Sequence, residues 1–303
     1  MTFVNDKKLL QKDLKIPLDE SRDALDIQML KLVALKSRRK MLEMGYTNHI
    51  RLHYGALMSM TDIITVLYQH WLRIQPANPQ WPERDRFVLS KGHGAPAIYV
   101  ALWLRGFFDE NQFKGFRRLH SILQGHPDRL KTPGVDCSTG SLGQGFPVAC
   151  GMALAAARDR SPFRIYCMIG DGECNEGSIW EAAQIASNLH LDKITVMMDR
   201  NLKSSYASMA GRNDIEPVVE KWRAFNWEVF ECDGHDFASI THALHEAETV
   251  IGKPTIVICR TVKGKGIPFI ENYPTKPNIL LSDEVYQECL AHLNTLEKEI
   301  IHG

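Results

Sequence analysis

The chain has 303 residues, with 36 basic and 36 acidic side chains that leave a formal net charge of zero. A nucleic-acid binder normally carries a basic excess to meet phosphates, so the balance argues against that class. Hydrophobic residues make up 44%, enough for a large core, while the longest apolar run, ten residues over 148–157, is far short of the ~18 needed to span a bilayer. No membrane association is expected, and the first fifteen residues lack the apolar stretch of an export signal, so the expected location is cytoplasmic. Seven cysteines (Cys137, Cys150, Cys167, Cys174, Cys232, Cys259, Cys289) form no C-x-x-C pair. They read as reduced thiols rather than zinc ligands or disulfide staples.

Apolar residues at helical spacing predict a helix over 25–44 that stops before Gly45, and another over 58–72, after which Pro76, Pro79 and Pro82 mark a loop. The basic run Lys36, Ser37, Arg38, Arg39, Lys40 on the first helix reads as a solvated face, because Glu43 follows and the chain is neutral. Residues 86–90 form a brief predicted strand ending in a Gly-His-Gly turn, with a helix over 95–104. An alanine-rich helix over 145–160 precedes a continuous apolar strand over 163–169, of the kind buried inside parallel sheets. That strand ends at Gly170-Asp171-Gly172. A helix over 178–189 with Ile179, Ala182, Ala183, Ala186 and Leu189 on one face leads to a strand over 193–198, which closes on Asp199-Arg200-Asn201. Two further strands are expected at 227–232 and 255–261. The expected fold is α/β, an open and mainly parallel sheet with helices on both faces, a class that binds ligands at the carboxyl ends of its strands. No repeat or linker divides the chain, so residues 1–303 are expected to be one domain, with 1–20 an extended or helical arm.

Asp171 and Asn201 each follow a predicted strand on the same sheet edge, and 28 residues separate Gly172 from Asn201. An anionic oxygen and an amide oxygen there could converge on a hard cation, and magnesium held by few protein groups usually completes its shell with phosphates and water. Gly170 and Gly172 would let the backbone approach a diphosphate. The spacing alone is equally compatible with a β-turn and an unrelated helix cap.

The stretch from Gly170-Asp171-Gly172 to Asn201 resembles the thiamine diphosphate signature, and Glu176, Trp180-Glu181-Ala182 and Asp199-Arg200-Asn201 within it resemble transketolases. Supporting segments run along residues 20–290. They include Arg86-Phe87-Val88-Leu89-Ser90-Lys91-Gly92-His93-Gly94, Gly125-His126-Pro127, Thr132-Pro133-Gly134-Val135, Thr139-Gly140-Ser141-Leu142-Gly143-Gln144-Gly145, Lys221-Trp222-Arg223-Ala224-Phe225 and Asp233-Gly234-His235-Asp236. The resemblance is to the amino-terminal half of a split transketolase, because a full-length member is about twice as long and only 37 residues follow Lys265-Gly266. It implies that the pyrimidine-binding domain and its activating glutamate sit on a partner chain, in an assembly of two copies of each.

The resemblance further implies thiamine diphosphate with magnesium (calcium or manganese as substitutes), Asp171 and Asn201 as metal ligands with the Lys203 carbonyl as a third, and cofactor contacts from Gly140, Ser141, Leu142, Gly172 and His93. It implies active-site histidines at His53, His93 and His126, imidazoles suited to moving protons as a two-carbon ketol passes through an enamine from a ketose, phosphorylated or otherwise anionic, to an aldose. Glu176 and Glu181 match an acidic pair that links two cofactor sites across the subunit interface; as isolated features they are carboxylates favoured at a helix start. Two departures stand out. The histidine usual after the Lys-Gly-Lys-Gly segment falls here at Pro277, which leaves Lys263 or Lys265 as a compensating charge or points to a different donor. Leu202-Lys203-Ser204-Ser205-Tyr206 is more polar than the usual stretch. Rival readings are a non-catalytic assembly protein that keeps the fold and the alpha subunit of a 2-oxo acid decarboxylase component. A nicotinamide oxidoreductase is disfavoured because the glycines over 140–145 are in the wrong order for the dinucleotide fingerprint.

Overall fold

A computed structural model describes residues 26–203, 208–210, 214–272 and 278–302. The predicted arm over 1–20, the polar stretch Ser204-Ser205-Tyr206 and Pro277 lie outside them. Five strands, β1 (Arg86–Leu89), β2 (Ile165–Gly170), β3 (Ile194–Arg200), β4 (Glu228–Asp233) and β5 (Thr255–Arg260), form one sheet in the order β1-β2-β3-β5-β4, and every neighbouring pair is parallel. The three central strands are buried almost end to end, which is why their sequences are unbroken apolar runs, whereas edge strand β4 alternates. Side chains alternate between two cores: Ile165, Cys167 and Ile169 enter one, and Tyr166 and Met168 the other.

The helices described are α1 (Ile27–Thr47), α2 (Tyr54–Val66), α3 (Ala95–Arg105), α4 (Gly145–Arg158), α5 (Gly177–Asn188), α6 (Val218–Ala224), α7 (Phe237–Thr249), the single turn α8 (Pro268–Glu271) and α9 (Asp283–His302). The first core holds α1, α2, α3 and α7 with bulky side chains such as Trp71, Tyr54 and Tyr99. The second is narrower, because Ala149, Ala153 and Ala156 of α4 face Ala182, Ala183 and Ala186 of α5 and let those helices approach closely. Helices therefore cover both sheet faces and leave the carboxyl edge of the strands free for loops.

The first helix departs from expectation in two ways. Helix α1 does not stop before Gly45 but runs through it to Thr47; a Cβ there would stand 1.9 Å from the Tyr54 hydroxyl oxygen, so the glycine serves a close approach. The basic run on α1 is not a solvated face. Ser37, Arg38 and Lys40 are buried. Arg38 makes a two-pronged pair with Asp62 at 2.9 and 2.8 Å, and Lys40 reaches Glu43 and Glu110 while lying over the Trp103 ring. Helix α2 begins at Tyr54, four residues earlier than expected, and its last predicted turn is a π-helical turn over Leu67–Trp71.

Candidate functional site

Four loops meet at the carboxyl edge, following β1, β2, β3 and β5. Asp171 comes directly after β2 and Asn201 directly after β3, and these strands are neighbours with Gly170 opposite Asp199. The Asp171 carboxylate is 3% exposed and accepts from the amide of Gly172 at 2.7 Å and that of Leu202 at 2.6 Å. Burial first, and then the nearby charge of Asp199, push its pKa up to about 6 against those two hydrogen bonds. The Asn201 side-chain oxygen accepts from the Lys203 amide at 3.1 Å, and the Lys203 carbonyl accepts from Lys263 Nζ at 3.3 Å.

Asp171, Gly172, Asn201, Lys203, Leu142, His53 and His93 line one cavity of about 150 Å³ together with Lys91, Glu173 and Lys263. A Cβ at Gly172 would meet nothing within 4 Å, so no packing demand explains that glycine; open space in front of the backbone suits a ligand drawn close. The His53 and His93 rings are 5.0 Å apart. Burial, then the positive charge of Lys91, pushes His93 down to about 3. Burial, then Lys263, lowers His53. Both rings are therefore neutral at neutral pH, which leaves each a ring nitrogen able to accept a hydrogen bond. Burial also lowers Lys263, partly offset by Asp171.

The other expected site residues lie elsewhere. His126 is exposed in an adjoining cleft of about 510 Å³ with Arg117, Gln124, Asp128 and Ser138, and its ring packs behind Gly140. Gly140 and Ser141 are absent from the wall of the smaller cavity, to which only Leu142 of that segment contributes. Glu176 and Glu181 are exposed at the start of α5 and outside both cavities. Of Lys263 and Lys265, Lys263 lines the cavity.

Two residues to which the resemblance assigns no role prove central. Glu173 is 1% exposed; one oxygen accepts from Ser90 Oγ at 2.6 Å and the Gly143 amide at 2.8 Å, the other from the Gly170 amide at 3.2 Å. It clasps three segments of the edge. Gly143 has a φ of 77°, a left-handed conformation that would strain another residue while presenting its amide to Glu173. Lys91, buried, pairs with Asp199, which also accepts from Ser59 and Thr261. Burial works against the Asp199 carboxylate, but Lys91 and the hydroxyls outweigh it and hold its pKa below the ordinary range. The available signal is adjacency: Glu173 lies two residues after Asp171, and Lys91 two before His93.

The donor set suits a magnesium diphosphate. Among the described residues no group of three His, Cys, Asp or Glu side chains could hold a metal. A cation here would instead have one carboxylate, one amide oxygen and one backbone carbonyl, with phosphate and water completing its shell, which is the habit of magnesium.

Residues 39–287 match the family described as "Transketolase, thiamine diphosphate binding domain". A 6-deoxy-6-sulfo-D-fructose transketolase subunit of Clostridium sp. (strain MSTE9) is 43% identical over 247 residues, 82% of this chain and 89% of the relative. An apulose-4-phosphate transketolase subunit of Phocaeicola vulgatus is 33% identical over 279 residues, 91% of this chain and 99% of the relative. A crystal structure of transketolase from Campylobacter jejuni superposes with a TM-score of 0.79 at 30% identity, covering 91% of this chain. The chain spans about half the length of that transketolase, 47%.

Proposed function

Since the chain belongs to the transketolase family as a thiamine diphosphate binding domain, we propose that it is the diphosphate-binding subunit of a divided transketolase, transferring a two-carbon ketol unit from an anionic ketose to an aldose. The observation that carries this reading is the convergence of Asp171, Asn201, the Lys203 carbonyl and two neutral histidines on one cavity. Asp171, Asn201 and Lys203 would hold magnesium, and Lys263 would balance diphosphate charge. What the cofactor supplies when bound is a stabilised carbanion equivalent for breaking and making a carbon–carbon bond. The chain's own part is to accept and return protons at substrate hydroxyls through His53 and His93, with His126 and Arg117 in the wider cleft available to the sugar.

The naming of both relatives as transketolase subunits supports a partner subunit. The cavity of about 150 Å³ is smaller than the roughly 300–1,000 Å³ of complete small-molecule pockets, which fits a site of which this chain supplies one wall. We assign the other wall to a chain carrying the pyrimidine-binding domain and its activating glutamate, with Glu176 and Glu181 at the interface of a two-plus-two assembly and residues 1–303 acting as one domain. The named substrates of both relatives, a sulfo sugar and a sugar phosphate, support an anionic ketose. All seven cysteines are free and buried, which supports a reducing, cytoplasmic setting, and among the described residues no helix is long and apolar enough to cross a membrane. The test is an assay of the chain with its partner subunit, thiamine diphosphate and magnesium. Two-carbon transfer between an anionic ketose and an aldose is expected. Carbon dioxide release from pyruvate without ketol transfer would overturn the reading in favour of a 2-oxo acid decarboxylase component.

A further inference from the structure

The loop after β5 that carries Lys263 into the cavity is held from behind by a partly buried chain of polar groups outside the cavity wall. The amide of Val262 donates to His235 Nε2 at 2.8 Å. That nitrogen must therefore be unprotonated, which leaves the ring hydrogen on Nδ1, where it faces Asp62 Oδ2 at 2.8 Å. Asp62, in turn, receives both prongs of Arg38, and Arg38 Nε donates to the Lys265 carbonyl at 3.0 Å. One histidine and one arginine thus grip the loop on either side of Lys263, at Val262 and at Lys265. Burial opposes the Asp62 charge, but Arg38 and the His235 ring hydrogen outweigh it and hold its pKa below the ordinary carboxylate range.

The loop needs such a grip. Gly264 and Gly266 have φ of 89° and 84°, and glycines give a loop many alternative paths. The gripping elements come from three distant parts of the sequence: Arg38 on α1, Asp62 on α2, and His235 between β4 and α7. None of the three lines the cavity.

We propose that His235, backed by Asp62 and Arg38, is a positioning residue that sets the Lys263 ammonium for the cofactor diphosphate by holding the Val262 amide. The proposal rests on the reading of the cavity as a diphosphate site. It makes His235 act through Lys263 alone, which separates it from a merely structural hydrogen bond.

The experiment is a double-mutant cycle on the full chain with its partner subunit, titrating thiamine diphosphate calorimetrically at saturating magnesium, with a thermal melt of every variant. His235→Asn keeps a donor near the Nδ1 position for Asp62 but has no acceptor for Val262, and should weaken binding about 5- to 10-fold, the loss of one hydrogen bond. His235→Gln places an acceptor near the Nε2 position and should stay within about 2-fold of the native chain. Lys263→Met should weaken binding by at least about 10-fold, the loss of one charge-assisted contact, and the double variant His235→Asn/Lys263→Met should bind no worse than Lys263→Met alone. Additive losses in the double variant, or a His235→Gln as weak as His235→Asn, would overturn the relay while leaving the diphosphate site standing. Native-like binding by Lys263→Met would remove the site reading and the relay together.

Discussion

Asp171 and Asp199 stand at the carboxyl ends of adjacent strands, both buried, and their surroundings pull them in opposite directions. Asp199 is enclosed by Lys91, Ser59 and Thr261 and held below the ordinary carboxylate range. Asp171 receives two backbone amides, faces the Asp199 charge, and is raised to about 6. One carboxylate is neutralised by a lysine within the fold, and the other is hydrogen-bonded by backbone amides. The difference separates a structural ion pair from the proposed ligand site by the identity of the partners, since burial is similar in both.

The largest expected effect falls on the neutralised member. Asp199→Ala removes the hydrogen-bonded counter-charge of buried Lys91 and should lower unfolding free energy by about 3–5 kcal/mol, read from urea denaturation of the metal-free chain. A loss under about 1 kcal/mol would mean that the two carboxylates are alike. Asp171→Asn should do the reverse: the urea midpoint holds or rises, while thiamine diphosphate binding with magnesium falls by about 100-fold or more, beyond the cost of losing an outer-shell partner. Calorimetry with the partner present measures the second half.

Acid titration sharpens the contrast further. A carboxylate whose folded pKa exceeds its unfolded value of 3.8 contributes stability that is complete below the unfolded value and lost as pH rises through the folded one. The metal-free chain should therefore lose about 2–3 kcal/mol from this group between pH ~4 and ~6, and Asp171→Asn should flatten that part of the profile. The smallest effect is an absence of change. With its pKa near 3, His93 should show no shift of its ring nitrogens by NMR between pH 5 and 8, and a midpoint in that range would remove the neutral-base role given to it.

Much of this site is legible in the sequence, for a physical reason. A parallel sheet writes its central strands as unbroken apolar runs, so the ends of 163–169 and 193–198 mark where Asp171 and Asn201 stand side by side. What is not legible depends on partners distant in sequence. Glu173 acquires its role from Ser90 and Gly143, 83 and 30 residues away. Arg38 is one charge in a basic run until α2 supplies Asp62. Gly45 resembles a helix stop because the local pattern does not contain Tyr54, whose hydroxyl fills the space a side chain would need. His126, Glu176 and Glu181 match motif positions, but nothing local says whether a motif residue faces the cavity or the outside.

The strand order has a further consequence during synthesis. Because β5 lies between β3 and β4, the outer edge of β3 has no partner when it is made, and β4 emerges before the strand that will join it to the sheet. About 55 residues must be added between the end of β3 and the start of β5, roughly 3–11 s at ordinary translation rates. For that interval an apolar strand offers an open edge to any neighbouring chain, the geometry that invites aggregation. Thr261, which completes the enclosure of Asp199, follows directly after β5, so the same insertion closes the sheet and seals the buried charge pair on the ribosome's timetable.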